Sequence, residues 1–576
     1  MKRLFKYLAD YKKESVLGPL FKLLEASFEL FVPLVVAAII DKGIAGNDYG
    51  YIVRMCLVLA ALGVIGLCCS ITAQFFAAKA AVGFSTKLRH ALFSHIEGLS
   101  HTEIDELGTS TLITRMTSDI NQVQSGVNLA LRLFLRSPFV VFGAMIMAFT
   151  VDVKCALVFA AAIPVLAAVV FGIMLITMPL YKKAQRGLDG ILGKTRENIT
   201  GARVIRAFCM EESEISGFEE KNEALVKIQK YVGRISALMN PITYVIINAA
   251  VIILIYSGAM RVNAGILTQG QVVALYNYMS QILVELIKLA NMIISLTKAL
   301  ACGNRIADVM EIKNSIISGS VTEGIDNAPA VEFDGASVVY KGSKEASVED
   351  ITLKVMHGET IGIIGGTGSG KTSLVSLIPR FYDTASGSVR VDGVDVRDYD
   401  IESLRAKIGV VPQKAVLFKG TIDSNMKWGS GNISDADVTE AIRSAQAEEV
   451  VSGKNGVSAE VEQEGRNFSG GQRQRLTIAR ALAKKPEILI LDDSASALDF
   501  ATDAKLRAAI KELPYKPAVF VVSQRASSIM YADKIIVLDD GRPAGIGTHE
   551  ELLESCEVYR EIYYSQFPKE GGDIDG

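Results

Sequence analysis

The chain has 576 residues, too many for a single hydrophobic core, so two or more folded units are expected. Half of its residues are hydrophobic, only 21% are charged and mean hydropathy is +0.30, which excludes a wholly water-soluble protein and places a large part of the chain in lipid. A net charge of −3 with a pI near 6.1 excludes the broad basic surface that a nucleic-acid partner requires.

The amino end, MKRLFKYLADYKKES, is basic and amphipathic and lacks the unbroken apolar stretch and cleavage site of a signal peptide. It is expected to stay attached and lie along the cytoplasmic membrane surface. Six apolar stretches follow, at 15–41, 53–83, 129–150, 155–178, 238–262 and 270–296. Each can cross a hydrocarbon core of about 30 Å at about 1.5 Å per helical residue. Three links between them are short, whereas the links 84–128 and 179–237 are long and rich in Lys and Arg. The positive-inside rule therefore puts the long links and both termini in the cytoplasm. Helical periodicity in both long links predicts that the spans continue as helices beyond the membrane. Their turns, near Ile104 to Thr109 and Cys209 to Ser213, are candidate contacts with a soluble domain.

Inside the first span, Lys22, Glu25 and Glu29 are spaced by three and four, along one helix face. A charge at the centre of a span costs about 2.5–3.5 kcal/mol, so these residues need a reason. Either they form a polar lining for substrate or they pair within the helix near its cytoplasmic end, and the sequence leaves both open. Pro33, Pro164 and Pro241 are read as tolerated packing or helix-end prolines. The seven cysteines are scattered without a C-x-x-C pair and are read as small buried hydrophobes.

From about residue 330 the pattern becomes that of a soluble α/β domain. The run GGTGSGKT, from Gly365 to Thr372, follows the apolar strand TIGIIG and precedes the apolar helix SLVSLIPRF. Such a strand–loop–helix context makes it a phosphate-binding loop. The backbone N–H groups of Gly365, Gly366, Thr367, Gly368, Ser369 and Gly370 can converge on phosphate oxygens, aided by the helix start at Ser373. Lys371 reaches the β and γ phosphates and Thr372 can ligate Mg²⁺. Asp492, ending the strand ILILD, supplies the carboxylate expected to hold that metal through water. Tyr340 could stack on an adenine ring, and Gln413 could reach the metal or the attacking water. Taken singly these last three are unremarkable; their order along the chain raises them.

NFSGGQRQRLTIARAL, at Asn467 to Leu482, completes a pattern. Together with Tyr340, GGTGSGKT, Gln413, AEVEQEG, ILILD and SALD (Ser496 to Asp499), it makes the chain resemble the ATP-binding-cassette exporters. More specifically, it resembles their half-transporters with six spans and one cassette. The resemblance covers almost the whole chain. It implies a multidomain fold, with an all-α six-helix transmembrane domain followed by an α/β P-loop NTPase cassette that carries a helical signature subdomain. The expected boundaries are 1–302 for the transmembrane domain, 303–330 for a linker, 331–567 for the cassette and 568–576 for a tail. ATP and Mg²⁺ are the implied cofactors, and the two turns are the implied coupling helices. Two cassettes in the family pack head to tail, so Ser469, Gly470, Gly471 and Gln472 are expected to cover the γ-phosphate held by a second half-transporter chain. The implied setting is a multi-pass protein of the cell membrane in contact with lipid, its cassette cytoplasmic, exporting small amphipathic or lipidic substrates. Multidrug export is the commonest expectation. Asn198, Asn432 and Asn467 open N-x-S/T triplets on the cytoplasmic side and carry no glycosylation expectation.

Two positions depart from the family. A glutamate is expected after the magnesium aspartate and a histidine further on, but the chain has Asp493 and Gln524. A carboxylate one methylene shorter is displaced by roughly 1 Å, an error that can cost about 10²-fold in rate. Glutamine donates a hydrogen bond but cannot bring a positive charge. With the signature intact, the pair of changes points to a heterodimer in which this chain's own site is degenerate and a different chain supplies the glutamate and histidine. A slow homodimer and an ATP-gated regulatory subunit are the alternatives.

Overall fold

The protein is described by a computed structural model covering residues 2–343, 345–429 and 433–567; the expected tail at 568–576 and Asn432 lie outside the described residues. Contacts divide the chain into two units, residues 1–97 with 110–312, and residues 98–109 with the chain from Lys313 onward.

The first unit is built on six long helices, α1 (Leu4–Ile44), α2 (Tyr49–Glu97), α4 (Thr109–Val151), α5 (Val153–Thr200), α7 (Glu211–Asn263) and α8 (Gln269–Glu311). Two short helices fall between them in the chain, α3 (His101–Leu107), which belongs to the second unit, and α6 (Ala202–Ala207). All six predicted spans fall within the long helices, which also run on through the long links as the periodicity predicted. Small residues bring the helices close. Ala26 of α1 and Ala73, Ala77, Ala80 and Ala81 of α2 are buried, and a Cβ added at Gly18 would lie 3.4 Å from the Ala77 nitrogen. Away from that seam, α2 exposes Val53, Leu57, Val64, Ile71 and Phe75, side chains suited to lipid or to a second chain.

The expected boundary at 302 falls inside α8, which continues to Glu311 because Cys302, Ile306, Ala307 and Val309 keep a buried apolar face at helical spacing. Both turns also sit earlier than expected. Gly98 to Ser100 and Gly108 bracket α3, and the second turn consists of α6 and the residues up to Met210, with Glu211 already helical. Of the seven cysteines, Cys69, Cys155, Cys302 and Cys556 are buried as expected, but Cys56, Cys68 and Cys209 are exposed. The first two sit on the outward face of α2, where a thiol counts as apolar.

Carboxylates fix the helix ends opposite the long links. Asp41 caps α8, accepting from the Gly270 N–H at 2.8 Å and the Thr268 hydroxyl at 2.5 Å. Asp152 caps α5 through the Cys155 N–H at 2.8 Å and takes the Arg261 guanidinium of α7 at 2.6 Å.

In the second unit, the main sheet runs in the order β12-β11-β3-β10-β9-β6. Its strands are β3 (Thr360–Gly365), β6 (Ile408–Val411), β9 (Ile488–Asp492), β10 (Ala518–Val522), β11 (Lys534–Asp539) and β12 (Arg542–Gly547). All pair in parallel except β12. Strands buried on both faces read as continuous apolar runs, as ILILD and AVFVV do. Ile488, Ile490, Phe520 and Val522 join the core on one face, and Leu489, Leu491, Val519 and Val521 the core on the other. An antiparallel sheet, β2-β1-β4-β5, is formed by β1 (Val331–Val338), β2 (Val348–Val355), β4 (Ser386–Val391) and β5 (Val394–Asp395). A two-stranded ribbon of β7 (Gly420–Thr421) and β8 (Glu460–Val461) and the helices Asp435–Ser444 and Gly470–Ala483 complete the signature region.

Asp152 serves as both cap and counter-ion, so Asp152→Ala should lower the thermal midpoint of the purified full chain, with a cost of about 1–3 kcal/mol. Asp152→Asn keeps the cap acceptor and should lower it about half as far; equal drops would show that the cap contributes nothing.

Candidate functional site

Three of the four central parallel strands, β3, β9 and β10, end on one edge of the main sheet, and each hands a polar group to a common pocket. The loop after β3 contributes Thr367, Gly368, Gly370, Lys371 and Thr372, whereas Ser369 does not line the pocket; β9 ends in Asp492, with Asp493 next to it, and Gln524 follows β10. Gln413, two residues past β6, completes the row. Ligand sites of open α/β sheets lie at these carboxyl ends. The pocket, about 250 Å³, is lined by Ser347, the loop, Gln413, Asp492, Asp493, Val522 and Gln524. That is below the roughly 300–1,000 Å³ of a complete small-molecule site, so its walls suit part of a ligand.

Close backbone approach dictates the loop's glycines. A Cβ on Gly365 would meet the Leu538 carbonyl oxygen at 2.1 Å, and one on Gly370 would meet the Ser347 carbonyl oxygen at 2.2 Å. Gly370 also has φ of +90°, a left-handed value that costs glycine nothing. The loop opens a helix, Lys371–Ser376, shorter than SLVSLIPRF suggested; a turn follows it, and Pro379 has no N–H with which to extend it.

Lys371 is nine-tenths buried and folds its ammonium back onto its own loop, donating to the carbonyls of Gly366 at 2.6 Å and Gly365 at 3.0 Å. Burial pushes its pKa down, with Asp493 and Asp492 opposing the shift. A phosphate beside it would favour the charged form. The Thr372 hydroxyl lies 3.0 and 3.1 Å from the two Asp492 oxygens. Burial holds the Asp492 carboxyl above its usual range, and the neighbouring Asp493 adds to this. A hydroxyl, a buried carboxylate and the Gln413 amide form the hard oxygen set that suits Mg²⁺, which needs only one or two carboxylate contacts when phosphates complete its shell. Among the described residues no cluster of three or more His, Cys, Asp and Glu could hold a metal by itself.

Asp493 has φ of +46°, a left-handed backbone that aspartate tolerates better than most residues. Its Oδ2 is 3.5 Å from Gln413 Nε2. The Gln524 side chain lines the same pocket, while its carbonyl accepts from Gln566 Nε2 at 2.8 Å. Arg525 ties the segment to the carbonyls of Ser496 and Leu498, within SALD.

Tyr340 does not line the pocket. Its hydroxyl is 2.9 Å from the Ser373 hydroxyl, and its ring meets Tyr382 edge-on at 4.9 Å. Tyr382 in turn donates to Asp105 of α3 at 2.6 Å, and that aspartate helps hold the phenol's pKa above its usual range, after burial. His101 of α3 lies 4.5 Å from Phe381, and Lys341 pairs with Glu106 at 2.7 Å. A continuous path therefore joins the phosphate-loop helix to α3. Sequence reasoning missed Tyr382; the one signal for it was an aromatic following the loop helix.

Ser469, Gly470, Gly471 and Gln472 lie outside this pocket. Ser469 caps the helix Gly470–Ala483 in a capping box with Gln472, their backbone N–H groups donating at 2.9 and 3.3 Å to each other's side chains. Ser469 and Gly470 are exposed, and a Cβ at Gly470 would meet nothing within 4 Å. The helix start is thus open to an anion brought from elsewhere.

Six apolar helices and a phosphate-loop cassette with a separate, exposed signature helix define the subunit of an ATP-driven membrane transporter. Residues 15–286 match the family of the ABC transporter transmembrane region, and residues 348–496 match the ABC transporter cassette. An uncharacterized ABC transporter ATP-binding protein of Mycobacterium tuberculosis is 36% identical over 97% of each chain. Another from Bacillus subtilis, YfiB, is 33% identical over the whole of both. A bacterial Atm1-family ABC exporter solved with ATP bound superposes with a TM-score of 0.78 at 21% identity, covering 98% of this chain and 100% of that one. The chain belongs to the ABC transporter family, as an exporter half-transporter with one transmembrane region and one cassette.

Replacing Lys371 with Ala should weaken binding of a fluorescent ATP analogue about 10- to 100-fold, since a hydrogen bond to a charged group contributes roughly 1.5–3 kcal/mol. Unchanged affinity would remove Lys371 from the site. Separately, Tyr382→Phe should speed amide exchange across His101–Leu107 about fivefold with nucleotide affinity unchanged, the equivalent of roughly 1 kcal/mol; unaltered exchange would show that α3 is held by its other contacts.

Proposed function

We propose that this chain is the degenerate-site half of a heterodimeric exporter of amphipathic or lipidic compounds in the cell membrane, with its cassette and both termini cytoplasmic. One observation carries the reading. Asp493 and Gln524 line the same pocket as a complete phosphate loop, whereas the complete Ser469–Gln472 signature lies outside that pocket.

In this reading ATP binds with its phosphates on residues 365–373 and its adenine on Tyr340. Mg²⁺, held by Thr372, Asp492 and Gln413, neutralises phosphate charge. Asp493 stands where water must be aligned for attack, but its carboxylate falls short, and Gln524 contributes no positive charge to the γ-phosphate. Hydrolysis here is slow. Ser469, Gly470, Gly471 and Gln472 instead close the site of a partner chain that carries the glutamate and the histidine. Binding of nucleotide at both sites draws the cassettes together, α3 and the turn at α6 carry the movement to the spans, and hydrolysis at the partner's site resets them.

Turnover by the purified chain alone should be at least about 100-fold below that of the chain assembled with a half-transporter bearing the glutamate. In that assembly Asp493→Asn should leave the rate within about twofold, and replacing the partner's glutamate by glutamine should abolish it. Robust hydrolysis by the isolated chain, lost on Asp493→Asn, favours the slow homodimer. Absence of turnover in every assembly favours a gating subunit.

A further inference from the structure

The sequence singled out Glu29 but not the cation that meets it. Arg136 of α4 bridges two carboxylates, donating through Nη2 to Glu29 Oε2 at 2.7 Å and through Nη1 to Glu285 Oε1 of α8 at 2.6 Å. By helical rise, Glu29, Arg136 and Glu285 lie about 18 to 24 Å from the helix ends at Asp41, Val151 and Gln269. That depth is within a hydrocarbon core of about 30 Å. Ionisable groups so placed are paired, or they face a polar cavity.

The two carboxylates differ sharply. Glu285 keeps 4% of its side chain exposed and is satisfied by Arg136, by Ser137 at 2.8 Å and by Lys288 at 2.9 Å. Glu29 has 43% of its side chain exposed and, among the described residues, a single partner, Arg136, on one oxygen. A half-exposed carboxylate at this depth is costly against lipid tails, which favours a polar cavity beside it. Arg136, 8% exposed, leaves its Nε without a partner among the described residues, so the guanidinium is held imperfectly between its two acceptors. The helix is one backbone hydrogen bond short at the same point. Pro33 has no N–H to donate to the Glu29 carbonyl, and the next carbonyl, of Leu30, accepts from the Tyr278 hydroxyl at 2.7 Å. Phe139, one turn beyond Arg136 on α4, exposes ring surface that attracts a cation's charge.

We infer that Glu29 is the recognition point for an organic cation, an amphiphile whose positive group binds the open carboxylate and takes the place of the Arg136 guanidinium. Arg136 is then the resident stand-in that keeps Glu29 paired between cargoes, anchored on its other side by Glu285. The inference rests on the export reading and adds to it the charge of the cargo and the residue that selects it.

Tetraphenylphosphonium and tetraphenylborate share shape and apolar surface but have opposite charge, which isolates the electrostatic contribution. Binding of each to the purified full-length chain, in the assembly in which it leaves the membrane, is measured by equilibrium dialysis without ATP and corrected with empty micelles. Saturable phosphonium binding is expected, weakened at least about tenfold by Glu29→Gln and kept within about threefold by Glu29→Asp, with no saturable borate binding. Phosphonium binding indifferent to Glu29→Gln, saturable borate binding alone, or no saturable binding of either ion overturns the inference. Should Glu29→Gln fail to fold, carbodiimide labelling of Glu29 in the unaltered chain, read by mass spectrometry, takes its place. Phosphonium should protect Glu29 and borate should not, and absence of protection is equally fatal. Failure here beside intact ATP-driven turnover leaves the export reading standing, because no step of the measurement uses ATP.

Discussion

The soluble half of the molecule depends on backbone crowding around the phosphate loop. Carbonyl oxygens of Leu538 and Ser347 stand where Cβ atoms of residues 365 and 370 would be, so only glycine allows the strand β3 to turn there into a loop of inward N–H groups. With that turn set, parallel pairing brings the carboxyl ends of β9 and β10 alongside it, with Gln413 beyond the end of β6, and Asp492, Asp493, Gln524 and Gln413 arrive from distant parts of the sequence. Burial then adjusts the electrostatics. It weakens the charge on both Lys371 and Asp492, and a magnesium–phosphate group is the ligand that would restore both.

A different constraint governs the membrane unit, where a charge without a partner costs more than almost any packing defect. The inward charges are accordingly arranged as pairs, Lys22 with Glu25 at 2.5 Å, Arg136 with Glu29 and Glu285, and Arg261 with Asp152 near the helix ends. Lys22 also reaches Ser70 of α2. Each pair except Lys22–Glu25 joins separate helices, so the pairs tie the bundle together as well as neutralise it. Their geometry bears on the two readings left open for the first span. Lys22 and Glu25 pair within the helix, and Glu29 pairs with Arg136 of another helix.

Legibility followed the range of the interactions. The six spans, their helical extensions, the glycine-rich loop and the signature helix were legible because each is a local pattern, a run or a spacing within one element. Contacts across elements were not. Arg136, Glu285 and Lys288 are charges inside expected spans just as Glu29 is, and the rule that flagged Glu29 would have flagged them. Tyr382 offered less, since nothing about an aromatic after a loop helix announces a hydrogen bond to Asp105 across some 280 residues. The boundary at 302 missed for a related reason: the buried face of α8 ignores the edge of the membrane and continues as long as Ile306 and Val309 have something to pack against.

The two departures in the nucleotide pocket can be weighed against this background. Asp493 sits in a left-handed conformation, with its N–H on the Val522 carbonyl at 2.9 Å and its own carbonyl on the Ser496 hydroxyl at 2.8 Å, so the backbone at the position is well anchored. The side chain alone is short. Gln524 is likewise fixed through its backbone by Gln566, while its side chain is left facing the pocket. A decaying site would be expected to lose the supporting hydrogen bonds along with the reactive groups. Here the supporting hydrogen bonds are in place around both positions, so the departures lie in the two side chains and not in the backbone that carries them.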